Sequence, residues 1–254
     1  MTTSVAPRRP LAVAFPVDPA EGTRFPGRWL GGIAMILGPL LLLTGVLARY
    51  RFNFFFPDQL AAYQRHPGLI LAAYSAFLAG NILLWPAVAT LAGLIGARQP
   101  GWALWGGALA TFGLFARTFH AGVDHLAFQL VKVQDVDSAT RAVGDAYGAF
   151  HIVSALSVAI MAGWIVLAIG AYRSGVLGLV QAVGLGAMSA LPLGVLKGTT
   201  PLSVVAVAGL CVAFLPVGVR TLRDGPRPRP AAVVRWTALI AVVVLGAVVL
   251  GQAG

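Results

Sequence analysis

The sequence predicts an all-α membrane protein, a single bundle of about seven transmembrane helices. Of its 254 residues, 58% are hydrophobic and only 10% are charged, whereas a soluble domain carries about 25% charged residues. The mean hydropathy is +0.85. Apolar runs near 20 residues recur along the chain, and that length is what a helix needs to cross a hydrocarbon core of about 30 Å. This composition excludes both an ordinary soluble domain and a disordered chain.

The first 28 residues predict a flexible tail. They contain Pro10, Pro16, Pro19 and Pro26 and show no helical period. We expect no signal peptide, because the first apolar helix starts late and no small-residue cleavage site follows it. The predicted organisation is therefore a cytoplasmic tail, 1–28, followed by one transmembrane domain, 29–254.

The apolar runs predict seven spans joined by short polar connectors, which make successive spans antiparallel neighbours. The predicted spans are 29–48, 69–97, 101–131, 140–172, 176–196, 201–219 and 231–252. Pro192 and Pro201 leave open that the boundary between the fifth and sixth spans is a re-entrant kink. In the fifth span, Gly184, Gly186 and Ala190 predict close helix packing.

The net charge of +10 indicates contact with membrane lipids and not with nucleic acid, because the basic residues are dispersed at the ends of the apolar runs. The predicted topology places eleven of the eighteen Lys and Arg residues on the side of the amino-terminal tail and six, including Arg49 and Lys197, on the other. By the positive-inside rule, we expect a multi-pass protein of the cell membrane with a cytoplasmic N-terminus and an external C-terminus.

Polar side chains collect on the second, third and fourth spans. Such residues are costly in a bilayer and indicate a functional site. The third span carries three of them on one face and His125 on its flank. Counting residues from the connectors places His120 level with His151, and Asn81 level with Arg117. These residues form one polar layer near the external boundary. The predicted outward-facing vestibule comprises Tyr74, Asn81, Arg117, His120, Asp124, His125, His151 and Ser154.

The favoured function is an integral membrane enzyme that acts on a lipophilic small molecule. His120, Asp124 and His151 are the candidate catalytic residues, with Tyr74, Asn81, Arg117 and Ser154 as candidate substrate-binding residues. The first three, with His125, could also hold zinc, because three protein ligands and one open position are typical of hydrolytic zinc sites.

This His-x-x-x-Asp pair on a seven-span scaffold resembles the adiponectin-receptor and alkaline-ceramidase superfamily of membrane hydrolases. That resemblance implies a metal-dependent hydrolase with several histidines and an acidic residue among its helices. The last span, 233–251, has no histidine, whereas that superfamily carries a histidine pair there.

Several alternatives remain open on the same residues. A desolvated Asp124 could act as the acid of a metal-free membrane cyclase or isomerase, and His120 with His151 could ligate haem. Arg117 with Asn81 could bind an anionic group in a transporter, sensor or membrane-complex accessory protein. The same side chains could also simply fill a polar helix interface. The segment 52–56, rich in phenylalanine, is either a cover for the vestibule or part of an aromatic belt.

Overall fold

The computed structural model describes residues 25–146, 152–224 and 230–253, and this part of the chain is all-α. It confirms the predicted class, an all-α membrane bundle. The helices are α1 (Gly27–Ala48), α2 (Phe56–Arg65), α3 (Pro67–Gly96), α4 (Pro100–Val133), α5 (Val136–Ala146), α6 (Ile152–Arg173), α7 (Leu179–Gly186), α8 (Pro201–Arg223) and α9 (Pro230–Ala253).

Proline and capping residues account for where several helices begin. Proline occupies the first turn of α2, α3, α4 and α8, where its missing N–H leaves no hydrogen bond unmade and its fixed φ suits the helix. Thr200 caps α8: its hydroxyl accepts from the Ser203 N–H at 3.2 Å, and Ser203 Oγ accepts from the Thr200 N–H at 3.2 Å. The start of α8 is therefore encoded locally.

Neighbouring helices approach most closely at glycines, where no side chain separates them. A Cβ added to Gly113 of α4 would lie 1.9 Å from Ile160 Cβ of α6, and one added to Gly184 of α7 would lie 2.6 Å from the Gly209 carbonyl of α8. Such close approach strengthens dispersion contacts between helices in a membrane, where no hydrophobic force drives association. The predicted packing role of Gly184 is confirmed.

Five described helices are long and apolar enough to cross a membrane: α1, α3, the Ala155–Arg173 part of α6, α8 and the Pro230–Gly251 part of α9. The predicted count of seven spans is not confirmed. Helix α4 is longer than any of the five, with 34 residues, but the polar side chains on its buried face lower its hydropathy. It lies between α3 and α6 and packs along both.

The predicted fifth span, 176–196, is not one continuous helix. It forms α7 and a 3₁₀ turn, Ala187–Ala190, and then continues without regular structure to Thr200. Its two ends lie at opposite ends of the bundle. The Ser174 carbonyl accepts from Arg98 at the C-terminal end of α3, whereas the Thr199 hydroxyl donates to the Val46 carbonyl near the C-terminal end of α1. Residues 191–200, which we call the unwound segment, complete this passage through the bundle.

The predicted fourth span, 140–172, is described as two helices, α5 and α6, on either side of residues 147–151. Helix α5 packs against α4 and α2, whereas α6 packs against α4 and α7. The sequence predicted a phenylalanine-rich segment, 52–56, before the second span. It did not predict helix α2, which begins at Phe56. Together α2 and α5 form a layer at one end of the bundle, the cap end, where Tyr63 stacks on Phe128 with ring centroids 4.5 Å apart.

The predicted tail, 1–28, falls mostly outside the described residues, and α1 begins two residues before the predicted boundary. At the other end, α9 makes no contact with any other described helix. Its apolar side chains are largely exposed, as for a helix whose neighbours are lipid chains. The division into tail and transmembrane domain stays a prediction.

Candidate functional site

A small cavity lined by both charged and apolar residues lies where the unwound segment passes α4. The space open to water-sized molecules is about 50 Å³, enough for a few waters at roughly 10–15 Å³ each. Its walls come from α1, α3, α4, the unwound segment and the start of α8. The lining residues are Val46, Arg49, Tyr74, Phe77, Arg117, His120, Ala121, Asp124, Leu191, Pro192, Leu193, Gly194, Lys197, Gly198, Thr199 and Ser203.

Arg117 binds the backbone at the point where the helical part of the passage ends. Its Nη2 donates to the Leu191 carbonyl at 3.1 Å, and its Nη1 donates to the Pro192 carbonyl at 3.2 Å. The last carbonyls of a helix have no partner within the helix, and Pro192 cannot continue the helical bonding pattern. The buried Arg117 guanidinium therefore supplies hydrogen-bond donors that neither the local backbone nor lipid could supply.

Asp124 binds the same segment two turns further along α4. Its Oδ1 accepts from the Leu196 N–H at 2.5 Å. Leu196 has a φ of +50°, a left-handed conformation that is uncommon for a residue other than glycine. The carboxylate and the burial of the Leu196 side chain beside Phe128 hold this conformation in place.

The spacing of these two α4 residues matches the path of the unwound segment. Seven residues of α-helix rise about 10 Å, and the four residues from Pro192 to Leu196 span up to about 13 Å when extended. Arg117 and Asp124 thus hold two successive points of the unwound segment against a single face of α4. The polar face of α4 that the sequence predicted is therefore present. Among the described residues, Arg117 and Asp124 on this face bond to main-chain atoms of the unwound segment.

Arg49 is the second buried guanidinium of the cavity, with 4% of its surface exposed. Its Nε donates to the Gly45 carbonyl at 3.1 Å and its Nη1 to the Lys197 carbonyl at 3.2 Å. The guanidinium carbon lies 4.1 Å from the centroid of the Tyr74 ring and 5.0 Å from that of Phe77. These cation–π contacts offset part of the cost of burying its charge.

The loop before α2 lies against the cap-end part of the unwound segment. The Gly198 N–H donates to the Phe54 carbonyl at 2.8 Å, and the Lys197 ammonium lies 5.2 Å and 5.9 Å from the ring centroids of Phe54 and Phe55. A Cβ on Gly198 would lie 2.7 Å from Phe54 Cα. The phenylalanine segment therefore packs on residues that line the cavity.

The two predicted substrate-binding residues of α3 have different surroundings. Tyr74 lines the cavity, and its hydroxyl donates to Gln59 Oε1 at 3.1 Å. The Asn81 amide donates to Leu114 O and Thr118 Oγ1 of α4, at 3.3 and 3.2 Å. The Asn81 amide nitrogen is therefore bonded across the α3–α4 contact, and Asn81 is not among the residues that line the cavity.

The described residues supply two of the predicted metal ligands at the cavity, His120 and Asp124. His125 is exposed on another face of α4, with its Nε2 3.5 Å from Gln129 Nε2. His151 lies outside the described residues, as does the side chain of Ser154 on α6. Within the described part of the chain, no three His, Cys, Asp or Glu side chains are grouped as metal ligands.

Four polar residues of the cavity were not predicted from the sequence: Arg49, Lys197, Thr199 and Ser203. Arg49 and Lys197 were expected to be loop charges at the ends of spans, but Arg49 is buried within the bundle. The sequence offers no local signal that separates them from such loop charges, since Arg49 directly follows an apolar helix and Lys197 lies between two apolar runs.

Comparisons with protein-family models, with curated proteins and with solved structures found no match for this chain.

Proposed function

We propose that this protein moves a small polar solute across the membrane through the cavity beside the unwound segment. One observation carries the proposal: irregular backbone within the bundle lines a cavity together with buried ionisable side chains. At membrane depth, backbone outside helices is tolerated where it is buried in protein or lines a cavity. Helices that break at mid-passage form the substrate sites of many transporters.

The size of the cavity supports a small solute. Its volume of about 50 Å³ holds a few waters or a compact ion, whereas drug-sized ligands occupy pockets of roughly 300–1,000 Å³. The described lining also includes four charged residues, Arg49, Arg117, Asp124 and Lys197, which a lipophilic molecule could not pair. A solute of a few heavy atoms is the best match to this space.

For the setting, we propose the cell membrane, with the N-terminus cytoplasmic, the C-terminus external and the cap end outside. The bias of Lys and Arg towards the side of the amino-terminal tail supports this orientation. Burial of Arg49 removes one charge from the external set and leaves the direction of the bias unchanged. The exposed apolar side chains of the long helices would contact membrane lipids.

A second candidate is the membrane enzyme acting on a lipophilic small molecule, with or without a metal. It is favoured by one observation, that His120 and Asp124 line the same cavity. In this candidate, Asp124 and His120 exchange protons with the substrate or bind zinc, and the third predicted member, His151, lies outside the described residues. An enzyme of this kind needs access from one side only, so access to the cavity separates the two functions.

Cysteine accessibility tests the proposal even though the solute is unidentified. In a Cys211→Ala background, Ala121→Cys places a thiol in the cavity wall. Right-side-out and inside-out vesicles are treated briefly with iodoacetate, a thiol-alkylating anion of five heavy atoms that crosses membranes poorly at neutral pH. A transporter exposes its site to each side in turn, and we expect labelling from both faces.

The matched control is Ala116→Cys on the same helix, where the native alanine is fully buried away from the cavity. We expect no labelling of this variant from either face. Labelling of Ala121→Cys from one face only would contradict transport and favour the enzyme. No labelling from either face would also contradict transport, because a polar solute needs an aqueous route to the cavity.

A further inference from the structure

We infer that the cavity binds a small anionic group, an inference that rests on the proposed function and names the class of its solute. The first ground is charge. Three cationic side chains line the cavity, Arg49, Arg117 and Lys197, and Asp124 is the one carboxylate among its described lining residues. Two formal positive charges are therefore in excess.

This excess is not removed by deprotonation, because a guanidinium keeps its proton in proteins. A buried charge is costly unless it is paired, and main-chain carbonyls carry only partial charges. The Arg49 and Arg117 guanidinium groups contact main-chain carbonyls and aromatic faces. An anion in the cavity would supply a full counter-charge.

The second ground is a free donor. Only 8% of the Arg117 surface is exposed, and its Nε–H has no hydrogen-bond partner among the described residues although both Nη atoms are engaged. Buried donors are nearly always satisfied by protein or by a bound group. Lys197 and Ser203 also line this space, so an anion would meet an ammonium group and a hydroxyl besides the Arg117 Nε–H.

The third ground is size and shape. The volume of about 50 Å³ suits a chloride ion, a formate or a single phosphate group better than a sugar acid. The anionic group could be a free ion or the phosphate of a lipid headgroup at the bilayer boundary. Both present the same chemistry to the guanidinium groups, so the experiment distinguishes them.

The test is calorimetric titration of delipidated protein in detergent with sodium chloride, sodium formate or sodium phosphate. Sodium gluconate at equal ionic strength controls for screening, because gluconate is much larger than the anions that suit the cavity. We expect saturable binding of at least one small anion. That anion should also raise the melting temperature relative to gluconate, since a ligand bound by the folded state stabilises it.

Two variants test the charge argument in opposite directions. Lys197→Gln removes one cation but leaves its carbonyl to accept from Arg49, and we expect affinity to fall about tenfold or more. Asp124→Asn removes the competing negative charge and keeps an oxygen for the Leu196 N–H, so affinity should rise. The matched control is Lys132→Gln, a change at the C-terminal end of α4 and outside the cavity, which should leave affinity unchanged.

Binding of a free anion with this ordering of variants identifies a free solute. If no free anion binds, one phospholipid retained per protein and lost in Lys197→Gln identifies the headgroup source. Neither result, or equal affinities in all variants, would overturn the inference. Labelling of Ala121→Cys from both faces without anion binding would leave transport standing and reject only the anion.

Discussion

At the scale of single residues, Arg117 and Asp124 each bind backbone that is remote in sequence. The 3,4 spacing correctly placed both side chains on one buried face with His120. What the spacing could not supply was the partner. The Leu191 and Pro192 carbonyls and the Leu196 N–H are more than 70 residues away, and no local pattern links them to α4.

The two-carbonyl contact of Arg117 leads to a prediction on stability. Arg117→Lys keeps the charge but replaces a fork of donors by one ammonium group, so one buried carbonyl loses its partner. We expect a loss of about 1–3 kcal/mol, or on the order of 2–4 °C in melting temperature per kcal/mol. Thermal unfolding in detergent measures it.

Arg65→Lys is the matched control for this change. Arg65 Nε also donates to a main-chain carbonyl, that of Ala61 at 3.2 Å, but the side chain is exposed. Water replaces such a bond, so we expect a change within about 0.5 kcal/mol. Equal melting temperatures for the two variants would show that Arg117 does not hold the unwound segment.

At the scale of elements, apolar runs predicted most helices well but misjudged the region 176–200. The composition of this region indicates a span whether or not the chain is helical, because Leu, Val and Gly are apolar in either conformation. The break depends on Pro192, on Gly194 with a φ of +129° and on donors from α4. Helix α2 was missed because it is short, with ten residues, and is not apolar enough for a span.

The close contact between α4 and α6 predicts a difference between two glycines of one helix. Gly113→Ala introduces a Cβ that would overlap Ile160, whereas a Cβ on Gly122 has no neighbour within 4 Å. We expect Gly113→Ala to cost about 1–3 kcal/mol through overpacking. Gly122→Ala should leave stability unchanged or raise it by up to about 1 kcal/mol. Melting curves of the two variants that coincide would contradict the packing described here.

At the scale of the whole molecule, the fold class followed from composition, and half of the polar residues that line the cavity followed from helical spacing. Tyr74, Arg117, His120 and Asp124 were predicted and do line it. Arg49 and Lys197 were placed in loops because a positive charge beside an apolar run usually lies in the headgroup region. Only the three-dimensional path of the unwound segment brings them to the same space.

The central claim is that the passage 176–200 is helical in its first half and unwound in its second, beside the cavity. Amide hydrogen exchange by mass spectrometry tests it directly. Backbone amides of α6 and α8 are bonded within their helices, whereas most of those in 191–200 lack such bonds. We predict that peptides from 191–200 exchange at least about tenfold faster than peptides from 160–173 or 203–216, and that Asp124→Ala speeds exchange at Leu196 further. Protection of 191–200 equal to that of the flanking helices, and unchanged in Asp124→Ala, would contradict it.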